Sequence, residues 1–283
     1  MAYSNVMGNK LAYLGPAGTF TEAALQKVAK PGDELIAYAN VTATLDAIRT
    51  GACQKALVPI ENSVEGVVAR TLDELAIGEP LVITGEITLP VSFALMVLPA
   101  TESKDIKSIA THPHAESQCR SFIAKNYPTA QIIESSSTAA AAKGLIKGDY
   151  DAAIASEIAA KNYQLKVIAS DISDNKSALT RFVMVEKPGK IPAATGKDRT
   201  SLAVFIAIDH AGALLEILNV FAKNQVNLTF IQSRPTGMEL GHYHFIIDAE
   251  GHIDDKQVAD TIAGLKLICE DIRFLGSYPQ ASR

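Results

Sequence analysis

Five short stretches gather residues able to do chemistry. SALTRF, Ser177 to Phe182, sets a hydroxyl, a guanidinium and a ring side by side just before the apolar run Val183-Met184-Val185. Ordinary strand chemistry accounts for them singly, since Thr and Phe suit a pleated surface and Arg a solvent face. GPAGTFTE, Gly15 to Glu22, joins a strand to a helix start through glycines, and the N–H groups of such a start favour an anion. PIENSVEG, Pro59 to Gly66, places Glu61, Asn62 and Ser63 at a strand's end, the edge where open α/β sheets bind ligands; Asn62 or Ser63 is equally suited to capping the next helix. THPHAESQC, Thr111 to Cys119, carries His112 and His114 at a strand-face spacing. With no third ligand nearby, hydrogen bonding or turn packing outranks a metal there. SSSTAAAAKG, Ser135 to Gly144, is another hydroxyl-rich helix start.

The elements that must position these residues follow from the hydrophobic pattern. LAYLG reads as a strand and Thr19 onward as a helix, with Thr19 and Glu22 spaced as a capping box. A strand at Glu34 to Tyr38, a helix from Thr42 stopped by Gly51 and the strand Ala56 to Ile60 continue the alternation, which means βαβ units and a largely parallel sheet. A helix over Val64 to Ile77 is expected next. A second set follows: β-rich residues 80 to 98, a strand at Ile106 to Thr111, helices at Ala115 to Asn126 and Thr138 to Ile146, and a strand at Val167 to Ala169. A chain that builds one α/β lobe, then another, then returns leaves a cleft for a small ligand, with Thr180, Arg181 and Phe182 delivered to its edge.

KPGKIPAATGKDRT reads as a linker. Beyond it the spacing predicts a strand at Ser201 to Ile208 and a helix whose core face is Leu214, Leu215, Leu218, Phe221 and Ala222. Strands at Leu228 to Ser233 and His242 to Asp248, a helix capped by Asp254 and a strand near Asp271 to Leu275 complete the order βαββαβ, that of a ferredoxin-like sandwich.

Composition narrows the function classes. The 283 residues exceed the roughly 100–200 of one domain. With 48% hydrophobic and 20% charged residues the chain is globular. A net charge of −5 argues against nucleic acid or an anionic membrane as partner, though a local site can still take an anionic small molecule. MAYSNVMGNK lacks the apolar core of a secretion signal, and no run of about 18 apolar residues suggests a membrane span. Cys53, Cys119 and Cys269 are far apart, which reads as a reduced cytoplasmic protein with neither a disulfide framework nor a zinc knuckle. The absence of a Walker sequence or G-x-G-x-x-G leaves a nucleotide cofactor without support.

Taken together, GPAGTFTE, PIENS, THPH…QC, the Ser/Thr-Ala helix start and TRF stand in the order found in the prephenate dehydratase family, which this chain resembles from about Lys10 to Ser277. The C-terminal unit resembles an ACT regulatory domain through AGALLEIL and NLTFIQSRP. The resemblance implies an α/β catalytic domain of two lobes, like type II periplasmic binding proteins, over residues 10–187. Lobe one covers about 10–88 and 172–187, and lobe two about 89–171. A linker at 188–199 and a ferredoxin-like ACT domain at 200–277 follow. It implies a lyase that decarboxylates and dehydrates prephenate to phenylpyruvate on the way to phenylalanine, without cofactor or metal, inhibited by L-phenylalanine and assembled as a homodimer or homotetramer.

By the same resemblance Thr180 is the catalytic residue, read as a hydrogen-bond donor to the departing hydroxyl. Thr19, Glu61, Asn62, Ser63, His112, His114, Ser136, Thr138, Arg181 and Phe182 are substrate-binding, with Arg181 forking onto a carboxylate and Phe182 lining the ring pocket, unless it is core. Glu61 sits awkwardly beside a dianion and is the better partner for the substrate hydroxyl or orienter of its neighbours. Gly212, Ala213, Leu214, Asn227, Leu228, Gln232, Ser233, Arg234 and Pro235 are the phenylalanine-responsive set. The chain departs from the family with Ala178 where Asn is common, a contact Asn175 would have to supply, and with His114 for Gln, Ala211 for Pro and Gln232 for Glu. Two other readings are an arogenate dehydratase and a non-catalytic two-lobed amino-acid sensor.

Overall fold

The computed structural model describes residues 8–103, 106–206, 210–236 and 243–281. The first seven residues of the expected non-signal start, and residues 207, 208 and 242 of two expected strands, lie outside these. Along the chain run β1 (Lys10–Leu14), α1 (Phe20–Gln26), β2 (Glu34–Tyr38), α2 (Val41–Arg49), β3 (Lys55–Asn62), β4 (Gly66–Val67), α3 (Ala69–Ala76) and β5 (Val82–Pro90). Next come β6 (Ala94–Val97), β7 (Ser108–Thr111), α4 (Pro113–Gln118), α5 (Arg120–Asn126), β8 (Gln131–Glu134), α6 (Thr138–Leu145), β9 (Ala152–Ala155), α7 (Glu157–Asn162), β10 (Lys166–Ala169) and β11 (Leu179–Glu186). The last part holds β12 (Asp198–Ile206), α8 (Ala213–Lys223), β13 (Leu228–Pro235), β14 (Tyr243–Glu250), α9 (Lys256–Leu265) and β15 (Cys269–Pro279).

Three sheets result. The first has the order β2-β1-β3-β11-β5, with β4 paired to β3; the second is β10-β6-β9-β7-β8; the third is β13-β14-β12-β15. β6 and β9 are buried along their whole length, which is why ALMV and AAIA carry no polar alternation. Ala139, Ala141 and Ala142 of α6 are buried, so the alanine run lets that helix approach closely. By internal contacts the chain divides into two units. Met1–Thr44, Leu57–Val67 and Thr88–Phe182 form one; Leu45–Ala56, Val68–Ile87 and Val183–Arg283 form the other. Among the described residues no helix is long and apolar enough to cross a membrane.

Four expected helices differ in detail; the simplest case is α9, whose N-cap is Asp255 and not Asp254. The stretch from Ser63 to Val67 turns back as a hairpin instead of starting a helix at Val64. Asn62 Oδ1 accepts from the N–H groups of Val64 and Glu65 at 2.8 and 2.9 Å, offering the backbone an alternative to a helical turn. β4 then pairs with β3, Glu61 opposite Val67 and Asn62 opposite Gly66. The helix expected from Ala115 begins two residues earlier with Pro113 in its first turn, where the missing N–H costs nothing, and it breaks at Cys119 (φ −120°, ψ 14°).

In the third sheet's layer, α8 buries Ala213, Ile217 and Phe221, not the stripe that includes Leu214, Leu215 and Ala222. Both faces of this helix are apolar, so periodicity could not choose between them. The packing against Leu202, Val204, Phe245 and Ile247 of the sheet decides it and leaves Leu214 and Leu215 exposed at 36% and 60%.

Candidate active site

Thr180 lies near the start of β11, next to the end of β3 that carries Glu61 and Asn62. Asn62 Nδ2 donates to Thr180 Oγ1 at 2.8 Å. Ser63 N–H donates to the Leu179 carbonyl, and the Leu179 N–H donates back to Ser63 Oγ, both at 2.9 Å. Ser63 is thus tied to the strand next to Thr180 and caps no helix. Arg181 Nε donates to Glu61 Oε2 at 3.2 Å, on the opposite face of the two strands, as strand alternation requires. Thr180 itself is 7% exposed, one residue from the exposed Leu179 that begins β11.

The other residues nominated from the sequence divide into those the structure brings to this cluster and those it uses elsewhere. His114 joins it through Glu65: His114 Nδ1 lies 3.2 Å from Glu65 Oε2, and Gln118 Nε2 donates to Glu65 Oε1 at 2.9 Å. His112 and His114 stand at a helix start and not on a strand. His112 caps α4, its Nδ1 accepting from the His114 N–H at 3.3 Å, and the two rings meet edge to face at 4.8 Å. Burial and then the neighbouring His114 hold the His112 imidazole below its usual pKa, against Glu65 and Glu134.

Thr19 caps α1, accepting from Glu22 N–H at 3.3 Å and donating to the Leu14 carbonyl at 3.1 Å. The anion seat expected in GPAGTFTE is filled from within the chain. The largely buried Glu22 carboxylate accepts from Gly18 N–H at 2.5 Å and from Asn162 Nδ2 at 3.0 Å. Gly18 has φ +89°, and a Cβ there would meet the Ala159 Cβ at 3.0 Å, so this approach demands glycine. At the second helix start Ser137, between Ser136 and Thr138, is the cap, its Oγ accepting from Ala140 N–H. Ser136 is exposed and Thr138 half-buried.

Phe182 shares Thr180's side of the strand but is 1% exposed, a ring packed into the interior and not the open wall expected of a pocket lining. Ala178, where the family resemblance leads one to look for Asn, is buried in a core cluster with Phe93 and Ile172. Asn175 does not replace that contact: its Oδ1 is used locally by the N–H and Oγ of Ser177. Sequence reasoning missed Glu65, Gln118 and Glu22 as site-shaping groups. Signals were nonetheless present: Glu22 stood in the expected capping box, Gln118 in THPH…QC, and Glu65 three residues after Asn62, a spacing that an Asx turn closes.

The regulatory candidates occupy the second unit. Gly212, at φ +100°, precedes α8 as its left-handed N-cap. A cavity of about 350 Å³ adjoins that helix start, with Ile206, Ala213, Ile217 and Ile268 in its wall. Asn227 and Leu228 lead into β13, where Leu228, Gln232 and Arg234 are half-buried and Ser233 and Pro235 exposed. Arg234 makes a two-pronged ion pair with Asp73 of α3, Nε to Oδ1 at 2.8 Å and Nη2 to Oδ2 at 2.7 Å. Sequence alone gave no sign that a carboxylate of α3 engages this arginine.

Beside that pair lies His244, opposite Arg234 in the register of β13 and β14. It is wholly buried, stacked on Phe205 at 5.1 Å, and neither ring nitrogen has a hydrogen-bond partner among the described residues. Burial depresses its pKa, Arg234 and Arg273 adding to the fall and Asp73 opposing it. The folded chain therefore holds fewer protons here than the unfolded one. Its stability is complete above the ordinary histidine value of about 6.5 and declines as pH falls below that. The urea midpoint of the wild type should drop more between about pH 7.5 and about pH 5.5 than that of His244→Phe; equal drops would remove His244 as the cause.

A family model for prephenate dehydratase matches residues 11–190, and one for the ACT domain matches residues 200–266. The chain belongs to the prephenate dehydratase family. The prephenate dehydratase of Amycolatopsis methanolica is 43% identical over 274 residues, 96% of this chain and 89% of that protein. The crystal structure of prephenate dehydratase from Arthrobacter aurescens in complex with L-Phe is 48% identical with a TM-score of 0.90, covering 95% of this chain and 90% of that one. A structure described as GqqA, a novel type of quorum quenching acylase, is 27% identical with a TM-score of 0.86, covering 96% and 98%. Within this prephenate dehydratase family member, Thr180 and its partners fall in the first matched region, and Arg234 and His244 in the ACT region.

Proposed function

We propose that this chain performs the reaction its family is named for, the decarboxylating dehydration of prephenate to phenylpyruvate, with Thr180 as the hydrogen-bond donor to the departing hydroxyl. The electrons of the broken carboxylate C–C bond flow into the ring as the ring C–O bond breaks, and aromaticity supplies the driving force. The protein's part is to align the ring and stabilise the leaving oxygen. The observation that carries this reading is the 2.8 Å bond from Asn62 to Thr180. It occupies a lone pair of Oγ1, so the hydroxyl proton is turned away from Asn62 and polarised for donation. A proton from water, passed through that hydroxyl, lets the oxygen leave as water.

Arg181 and Glu61 form a mostly neutral pair. The pair lies on the face of β3 and β11 away from Thr180, so it leaves Glu61 no bare anion and braces the two strands that carry Asn62 and Thr180, in place of a direct grip by Arg181 on the substrate. Residues 10–187 supply this chemistry, 188–199 link, and 200–277 regulate.

L-Phenylalanine is read as the effector, through Gly212, Ala213, Leu214, Asn227, Leu228, Gln232, Ser233 and Pro235. The matched ACT domain and the phenylalanine-bound Arthrobacter relative support this. Arg234 is given a different part: its fork on Asp73 ties β13 to α3, so it transmits the effector's presence instead of clasping it. The exposed Leu214 and Leu215 of α8 and Ile231 of β13 support a subunit contact in a homodimer or homotetramer.

Turnover of prephenate and of arogenate by the wild type and Arg234→Ala, each with and without millimolar phenylalanine, tests this, with light scattering on the same samples. Prephenate should be the better substrate, and phenylalanine should inhibit the wild type. Arg234→Ala should need at least roughly ten-fold more effector while its uninhibited rate is kept. A chain that leaves prephenate untouched overturns the activity; a monomer mass overturns the assembly; unchanged inhibition of Arg234→Ala overturns the coupling.

A further inference from the structure

The hairpin that carries Asn62 is held from outside itself. β3 and β4 are joined by Ser63, Val64 and Glu65, and the Glu65 N–H is one of the two donors that fix Asn62 Oδ1, at 2.9 Å. The Glu65 side chain does not point back into this turn. Its Oε1 accepts from Gln118 Nε2 at 2.9 Å and its Oε2 meets His114 Nδ1 at 3.2 Å, both partners on α4, which follows β7 of the second sheet. A continuous chain of bonds therefore runs from α4 to the Thr180 hydroxyl: Gln118 to Glu65, Glu65 N–H to Asn62, and Asn62 to Thr180 at 2.8 Å.

We infer that Glu65 is a positioning residue for Thr180, the strut that fixes the Asn62 amide by anchoring its turn to α4. The inference rests on Thr180 being the donor in the reaction. Several features favour a geometric role over a stabilising one. An exposed carboxylate–imidazole pair contributes little to folding, and His114 is more than half exposed. Gln118, by contrast, is nine-tenths buried, and its backbone carbonyl accepts from the Asp174 N–H at 2.6 Å, so it offers a fixed anchor. Without the strut the five-residue stretch from Glu61 to Glu65 keeps its Asx turn but loses its tie to α4. The Asn62 amide then samples orientations in which it does not hold Oγ1, and the fraction of enzyme with a correctly aimed hydroxyl falls. Such misalignment lowers kcat and leaves substrate affinity nearly unchanged.

The length and acceptor oxygen of the side chain matter more than its charge. Glutamine at this position can accept from Gln118 through its oxygen and donate to a neutral His114 Nδ1, whereas alanine can do neither. The test measures kcat and KM for prephenate on the full chain in Glu65→Ala, Glu65→Gln, Asn62→Ala and the Glu65→Ala/Asn62→Ala pair, beside Thr180→Val as reference. Glu65→Ala should lose roughly ten-fold in kcat with KM within about two-fold, and Glu65→Gln should recover most of the loss. In the Asn62→Ala background the Glu65 change should add almost nothing, because the strut acts only through Asn62. Wild-type kcat in Glu65→Ala, or a loss that multiplies with that of Asn62→Ala, overturns the strut while leaving the Thr180 reading intact. Full turnover by Thr180→Val overturns that reading itself.

Discussion

Thr180→Val should lose roughly 10²–10³-fold in kcat for prephenate, the usual cost of deleting one preorganised donor at a developing charge. Valine keeps the size, the β-branching and the strand preference of threonine, so the start of β11 survives the exchange. What disappears is the hydroxyl at the end of the Asn62 bond. Asn62 Nδ2 is left without its acceptor in a part-buried place, which adds about 1 kcal/mol to the instability of the variant and nothing to its chemistry. Thr180→Ser keeps the donor and should retain most of the activity. Initial rates of phenylpyruvate formation at saturating prephenate separate the variants. A valine variant within a few-fold of wild type would show that the departing oxygen is served by some other group.

The second large effect concerns the ring two residues on. Phe182→Ala should cost about 3–5 kcal/mol of stability, because a fully buried aromatic leaves a cavity its surroundings fill only partly. Phe182→Leu preserves an apolar core side chain and should cost roughly 1.5 kcal/mol or less, with turnover near wild type. A ring that instead touched substrate would give the opposite pattern, a stable Phe182→Leu protein with depressed activity. Urea unfolding and prephenate turnover measured on the same two variants decide between them.

Much of the fold was legible because the signals are local. The alternation of short apolar runs with helix-period segments announced the first sheet and part of the second, but not β8 or the central strand β9, whose four-residue runs are too short to carry a period. The order βαββαβ announced the third, where strand spacing and turn residues act over a few neighbours. The departures have local causes too, but ones that periodicity does not see. Asn62 folding its side chain onto the next two N–H groups converts an expected helix into a hairpin. In α8 two apolar faces compete, and only the sheet beneath selects the one with Ile217 and Phe221.

The candidate site divides in the same way. Residue types and motif order nominated Thr180, Asn62, Glu61 and Arg181 because hydroxyl, amide, carboxylate and guanidinium in those motifs carry a family resemblance in the sequence itself. Which of them meet was decided by the pairing of β3 with β11, residues more than a hundred apart in the chain, since hydrogen bonds at 2.8 Å depend on where strands lie and not on how far apart they are written. Occupancy was likewise a tertiary matter. Glu22 filled the anion seat at Gly18, Asp73 took the fork of Arg234, and Phe182 went into the interior. Sequence by itself determined the chemical groups and the class of fold; three-dimensional packing alone assigned each group its partner, because burial and satisfied polar contacts are properties of neighbours in space.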